Sequence, residues 1–76
     1  MIRAYTTVLT GAGMSVDVVE AIRELPTVIE AHIVAGEFDI IVEIEAADEY
    51  EVRKTVTSDI GSISGVGRTR TYIHLD

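Results

Sequence analysis

Val28-Ile29-Glu30-Ala31-His32-Ile33-Val34-Ala35-Gly36-Glu37-Phe38-Asp39-Ile40-Ile41-Val42-Glu43-Ile44-Glu45 is the stretch on which the fold of this 76-residue chain turns. Ile29, Ala31 and Ile33 alternate with Glu30 and His32. After Ala35-Gly36-Glu37 the alternation resumes, with Phe38, Ile40, Val42 and Ile44 set against Asp39, Ile41, Glu43 and Glu45. Successive side chains of a strand point to opposite faces, so a period of two on both sides of a glycine turn predicts a hairpin with one buried face.

Working outward, Pro26 stops a helix whose apolar stripe is Val18, Val19, Ile22 and Leu25 and whose start carries a capping-box-like pair, Asp17 and Glu20. Before it, Ile2 to Thr10 alternates as a strand and ends at Gly11-Ala12-Gly13. Beyond the hairpin, Asp48 with Glu51 repeats the capping signal, and Val52, Val56 and Ile60 continue at helical spacing to an exit at Gly61. A glycine- and serine-rich loop then leads to a last strand in which Thr69, Thr71, Ile73 and Leu75 alternate with Arg68, Arg70, Tyr72 and His74. The order βαββαβ predicts an α+β, ferredoxin-like domain over residues 1–76, a four-stranded antiparallel sheet with two helices on one face. Parity assigns Ile2, Ala4, Val8, Ile29, Ala31, Ile33 and the apolar residues from Phe38 to Ile44, with Ile73 and Leu75, to the helix-covered face. The opposite face carries Arg3, Tyr5, Glu30, His32, Val34, Ile41, Glu43, Glu45, Arg70, Tyr72 and His74, a mixture of aromatic and two-signed residues suited to meeting another subunit.

Composition narrows the function. Thirteen carboxylates against six Lys and Arg give a net charge of −7, a surface that repels phosphate backbones, so direct nucleic-acid binding is not expected. The same acid excess suits solubility in high salt. There is no cysteine, which removes disulfides, thiolate ligands and a Cys nucleophile. No apolar run is long enough to span a membrane, and the first residues alternate as a strand instead of forming a signal core, which sets a cytoplasmic expectation. A domain this short buries a modest share of its surface, which favours oligomerisation.

Sharper motifs resolve into structural ones. Gly11-x-Gly13 follows a strand, but Val16 fills the third small position of a dinucleotide fingerprint, and the loop from Gly61 to Gly67 has no phosphate-binding lysine. His32 and His74 stand on different strands without metal-ligand spacing, and Glu43 and Glu45 share a strand face with Arg3 and Arg70 as ion-pair neighbours. No catalytic set, metal site or cofactor is expected. Asp39 either bonds the turn backbone, as aspartates beside hairpins do, or faces a ligand.

Two stretches, Leu25 to Asp39 and Ile63 to Thr71, resemble the effector-binding domain of Lrp/AsnC transcription regulators: a helix ending in Leu-Pro, a strand closing on Gly-Glu-aromatic-Asp, and a Gly-Val loop leading into a Thr-containing strand. The resemblance covers essentially the whole chain. It implies a non-enzymatic domain that pairs through its open sheet face, assembles further, and binds an amino acid or related small molecule between dimers. Carried over position by position, it implies ligand contacts at Gly36, Glu37, Phe38 and Asp39, with Thr69 and Thr71 as further candidates. Ala35 stands where the family often has a hydroxyl residue. The resemblance further implies a stand-alone form lacking the helix-turn-helix domain, acting on transcription through a helix-turn-helix-containing relative. The alternatives are a small dimeric ferredoxin-like enzyme of the cofactor-free monooxygenase or isomerase type, and an ACT-like regulatory or pure assembly module.

Overall fold

Ile2–Thr10 forms β1, with the bounds that its alternation predicts. In the computed structural model, which describes all 76 residues, it is followed by α1 (Ser15–Arg23), β2 (Val28–Ile33), β3 (Ile40–Ala46), α2 (Glu49–Lys54) with a π-helical continuation (Thr55–Ile60), and β4 (Val66–Ile73). The strands lie in the order β2-β3-β1-β4, every neighbouring pair antiparallel. Both helical connections cross over an intervening strand, which is the predicted ferredoxin-like arrangement.

The core sits between the helices and one sheet face. Ala4, Val8, Ile40, Val42 and Ile44 from the sheet meet Val18, Val19 and Ile22 of α1 and Val52, Val56 and Ile60 of the second helical segment. Thr6 takes a core position and is fully buried, its hydroxyl bonded to that of Thr71 at 2.9 Å. Buried hydroxyls without a partner are costly, and this pairing removes that cost.

Several expectations are corrected. Asp17 and Glu20 do not cap α1: the helix starts two residues earlier, Met14 occupies the cap position without a side-chain bond, and Asp17 lies in the first turn, where its charge meets the positive end of the helix dipole. The second capping signal does cap. The Asp48 carboxylate accepts from the Glu51 N–H at 2.9 Å, and the Glu51 carboxylate accepts from the Ala47 N–H at 2.7 Å. Phe38 lies outside β3, because the connection runs from Val34 to Asp39 and is closed by the Val34 N–H bonding the Asp39 carbonyl at 2.8 Å. Ile29 is the extra residue of a bulge, since Val28 pairs with Ile44 and Glu30 with Glu43, and it is exposed. Ile33 and Leu75 are exposed too, the first on an outer strand with a neighbour on one side only and the second past the end of β4.

The π-helical turns have a local cause. The Thr55 and Thr57 hydroxyls donate to the carbonyls of Glu51 and Arg53, four residues back, at 2.9 and 2.8 Å. Such back-bonding competes with the ordinary helical ladder and favours a widened turn. The widening also serves packing, because apolar residues at every fourth position drift by about 40° per step around a 3.6-residue turn. A wider turn keeps Val52, Val56 and Ile60 over the sheet.

The two outer edges of the sheet differ. On β2 the Arg23 Nε–H donates to the Ala31 carbonyl at 3.0 Å, occupying an acceptor that faces away from β3. No side chain bonds the outward backbone groups of Thr71 and Ile73 on β4. No helix is long and apolar enough to cross a membrane.

Candidate functional site

The β2–β3 connection and the start of β4 meet at one end of the sheet, around Val8 to Thr10 of β1. The Asp39 N–H donates to the Val8 carbonyl at 3.0 Å, and Thr69 stands opposite Val8 on the other side. Phe38, Asp39 and Thr69 are half-buried there, whereas Gly36 and Glu37 project into solvent. Thr71 lies further along β4, exposed and opposite Thr6, with its hydroxyl engaged. Thus Asp39 and Thr69 flank the same β1 residue, and Thr71 is set apart.

Asp39 does not bond the backbone of its own turn. Its Oδ2 accepts from the Thr10 backbone N–H at 2.8 Å and from the Thr10 hydroxyl at 3.1 Å, and that hydroxyl in turn bonds the Ser15 hydroxyl at 2.8 Å. The carboxylate therefore ties the hairpin to the end of β1 and the start of α1. Thr10 and Ser15 were not singled out by sequence; the only trace of Thr10 is the hydroxyl-rich run Thr6-Thr7-Val8-Leu9-Thr10, and Ser15 leaves none. Asp39→Ala should cost about 1–2 kcal/mol by orphaning the Thr10 N–H, and Asp39→Asn less, in urea titrations of the two variants. Equal stability of Asp39→Ala and the parent would show that water replaces the carboxylate.

Gly36 has a negative φ, and a Cβ added to it meets nothing within 4 Å. The fold itself does not require glycine there. The surface has three concavities, of about 560, 290 and 340 Å³. Of the six candidate residues, Thr71 alone borders one, the groove of about 290 Å³ between α2 and β4. Within one chain the loop Gly36 to Asp39 forms a rim without an enclosing wall.

On the open sheet face, Arg3 bridges Glu43 at 3.3 Å and Glu45 at 3.2 Å. The bond to Glu45 and the charge of Glu43 hold its guanidinium above the ordinary arginine value. His74 bonds the Tyr5 hydroxyl through Nδ1 at 3.2 Å and Asp76 through Nε2 at 2.8 Å, while His32 bonds Glu30 at 2.9 Å. The two histidines stand on opposite edges of the sheet, and no three His, Asp or Glu side chains converge as metal ligands.

Residues 3–76 match the model of the Lrp/AsnC ligand binding domain. The chain belongs to the Lrp/AsnC family. Among the relatives of this Lrp/AsnC chain, an uncharacterized HTH-type transcriptional regulator of Pyrococcus furiosus is 46% identical over 57 residues, which are 75% of this chain and 38% of the relative. The leucine-responsive regulatory protein of Haemophilus influenzae is 36% identical over 56 residues, 74% of this chain and 34% of that protein. The chain thus spans little more than a third of the length of these regulators. A solved structure from Thermus thermophilus is 33% identical with a TM-score of 0.96, the match covering 100% of this chain and 95% of that one. The Lrp/AsnC assignment agrees with the ferredoxin-like sheet and both crossovers.

Proposed function

We propose that this Lrp/AsnC domain senses an amino acid, catalyses nothing, and passes the signal by co-assembly with a helix-turn-helix-bearing relative that contacts DNA. The observation that carries the reading is the rim formed by Gly36, Glu37, Phe38 and Asp39 beside Thr69: it offers an open backbone, a free Glu37 carboxylate for an ammonium group, and no wall opposite. A second subunit supplies that wall. Thr71 takes part only if its bond to Thr6 is exchanged. The name of the leucine-responsive relative favours an amino-acid effector. The open face, with Tyr72, Ile41 and Leu9 exposed beside the Arg3 ion pairs, suits subunit pairing. His32 and His74, each tied to a carboxylate on opposite edges, give the enzymatic alternative no converged acid–base pair.

The test is a thermal melt of the purified protein across the free amino acids, with mass read by light scattering. A ligand that binds only the native assembly stabilises it by about 2.7 kcal/mol at a hundred times its Kd. One amino acid should raise Tm selectively in an assembly of dimer size or larger. Gly36→Asp should erase that shift with the unliganded Tm unchanged, since its side chain has room. A folded oligomer that answers to no amino acid would sink the proposal, and a persisting shift in Gly36→Asp would move the site off the hairpin.

A further inference from the structure

We infer that the outer edge of β4 is a two-fold contact at which two copies pair as antiparallel strands from Thr71 to Leu75, each seating its Leu75 in the other's groove between α2 and β4. This contact is separate from the open sheet face, so either can fail without the other.

The two sheet edges are unequal. An exposed edge presents unpaired N–H and C=O groups to any further strand, and proteins commonly block it with bulges or side chains. β2 carries both devices, the bulge at Ile29 and the Arg23 bond to the Ala31 carbonyl. β4 has its irregularity near Gly67, leaving the stretch from Thr69 to Ile73 regular and its outer side uncapped.

The register follows from the hydrogen bonding. The His74 N–H donates to the Arg3 carbonyl, so the even positions at this end of β4 face β1 and the odd positions Thr71 and Ile73 turn their backbone groups outward. Outward groups must meet outward groups. Centring the pair on Ile73 sets Thr71 opposite the partner's Leu75 and Arg70 opposite the partner's Asp76. Arg70 has no carboxylate partner in its own chain, and the Asp76 side chain is exposed, with only His74 beside it. Centring on Thr71 instead would bring Leu75 against Gly67 and Arg68 against His74, losing both the ion pair and the apolar contact.

The groove completes the match. Val52 and Val56 of the helical segment and Ile73 of β4 line a trough of about 290 Å³, rimmed by Arg53 and Thr57. Leu75, 94% exposed, has odd parity and lies on the same side of the strand as Ile73. Strand addition gains affinity from main-chain bonds and specificity from pockets for alternate side chains, and a groove between an edge strand and a helix provides both.

The chain contains no cysteine, so Ile73→Cys introduces a single thiol. Across the two-fold, hydrogen-bonded partners stand about 5.5 Å apart at Cα, inside the disulfide range of roughly 4.4–6.8 Å. Mild oxidation should link most of Ile73→Cys into a covalent dimer, at least tenfold faster than Val16→Cys, an exposed control on α1. Adding Leu75→Glu should slow the linkage about tenfold and lower the light-scattering mass, with the circular dichroism spectrum unchanged. Ile41→Asp on the open face should leave the linkage rate alone. Linkage no faster than at Val16→Cys, indifference to Leu75→Glu, or loss of linkage in Ile41→Asp would each overturn the inference.

Discussion

Replacing Ile44 with alanine is expected to cost about 2–5 kcal/mol. Ile44 is fully buried on β3, an interior strand, with Ala4 opposite it on β1 and Val28 opposite it on β2. Neither neighbour is large enough to fill the space left by the lost methylenes, so the cavity persists and its cost adds to the lost transfer energy. A domain of 76 residues has a total stability of about 4–11 kcal/mol at the usual ~0.05–0.15 kcal/mol per residue. The substitution therefore removes a large share of it, and the urea midpoint should fall accordingly. Ile41→Ala, on the other face of the same strand and 43% exposed, is the control. It should cost under about 1 kcal/mol in a dissociated chain. A cost matching that of Ile44→Ala, growing with protein concentration, would mean that the open face is buried between subunits.

Gly61→Ala is expected to lose about 1–3 kcal/mol, towards the upper end. The residue has ordinary helical angles, φ −62° and ψ −22°, so conformational freedom is not its purpose. Space is. Its N–H bonds the Val56 carbonyl, five residues back, at 3.0 Å, and this wide closure brings Gly61 against the Thr57 carbonyl oxygen, into which a Cβ would run. The obstacle is backbone and cannot rotate aside as a side chain would. Relief requires the turn to tighten, which would withdraw Ile60 from the core. Thermal melts of the variant should show the loss; an unchanged Tm would mean that the π-helical turns relax at no cost.

The strands of this fold are legible in sequence because each has one dry face, and a period of two survives even in short runs such as Ile2 to Thr10 and Ile40 to Ile44. The helices are legible in position but not in detail. Val52, Val56 and Ile60 recur at every fourth residue, a spacing that an α-helix and a widened helix share, so only the hydroxyl bonds of Thr55 and Thr57 separate them. Asp17 with Glu20 has the form of a capping box, as Asp48 with Glu51 does, yet a cap depends on where the preceding loop delivers the chain, and Ser15 is already helical. Parity misplaced Ile29 because a bulge shifts every residue before it by one. The turn between β2 and β3 was legible through its glycine, whereas its place in the candidate site came from the family resemblance alone. The tie from Asp39 to Thr10 was not legible, since it joins residues 29 positions apart through a contact that only the folded sheet creates.

Arg23 has a consequence for how far the protein can polymerise. A sheet with two receptive rims can add copies head to tail without limit, which is the geometry of a fibril. By holding the Ala31 carbonyl beside the bulge at Ile29, Arg23 helps to remove one rim from that reaction. Any strand-to-strand growth then has to use β4 on both molecules, and a two-fold junction of that kind consumes both receptive rims at once. On the inferred β4 pairing the sheet stops at eight strands, with the Arg23 guanidinium and the bulge at Ile29 together terminating it on the other side.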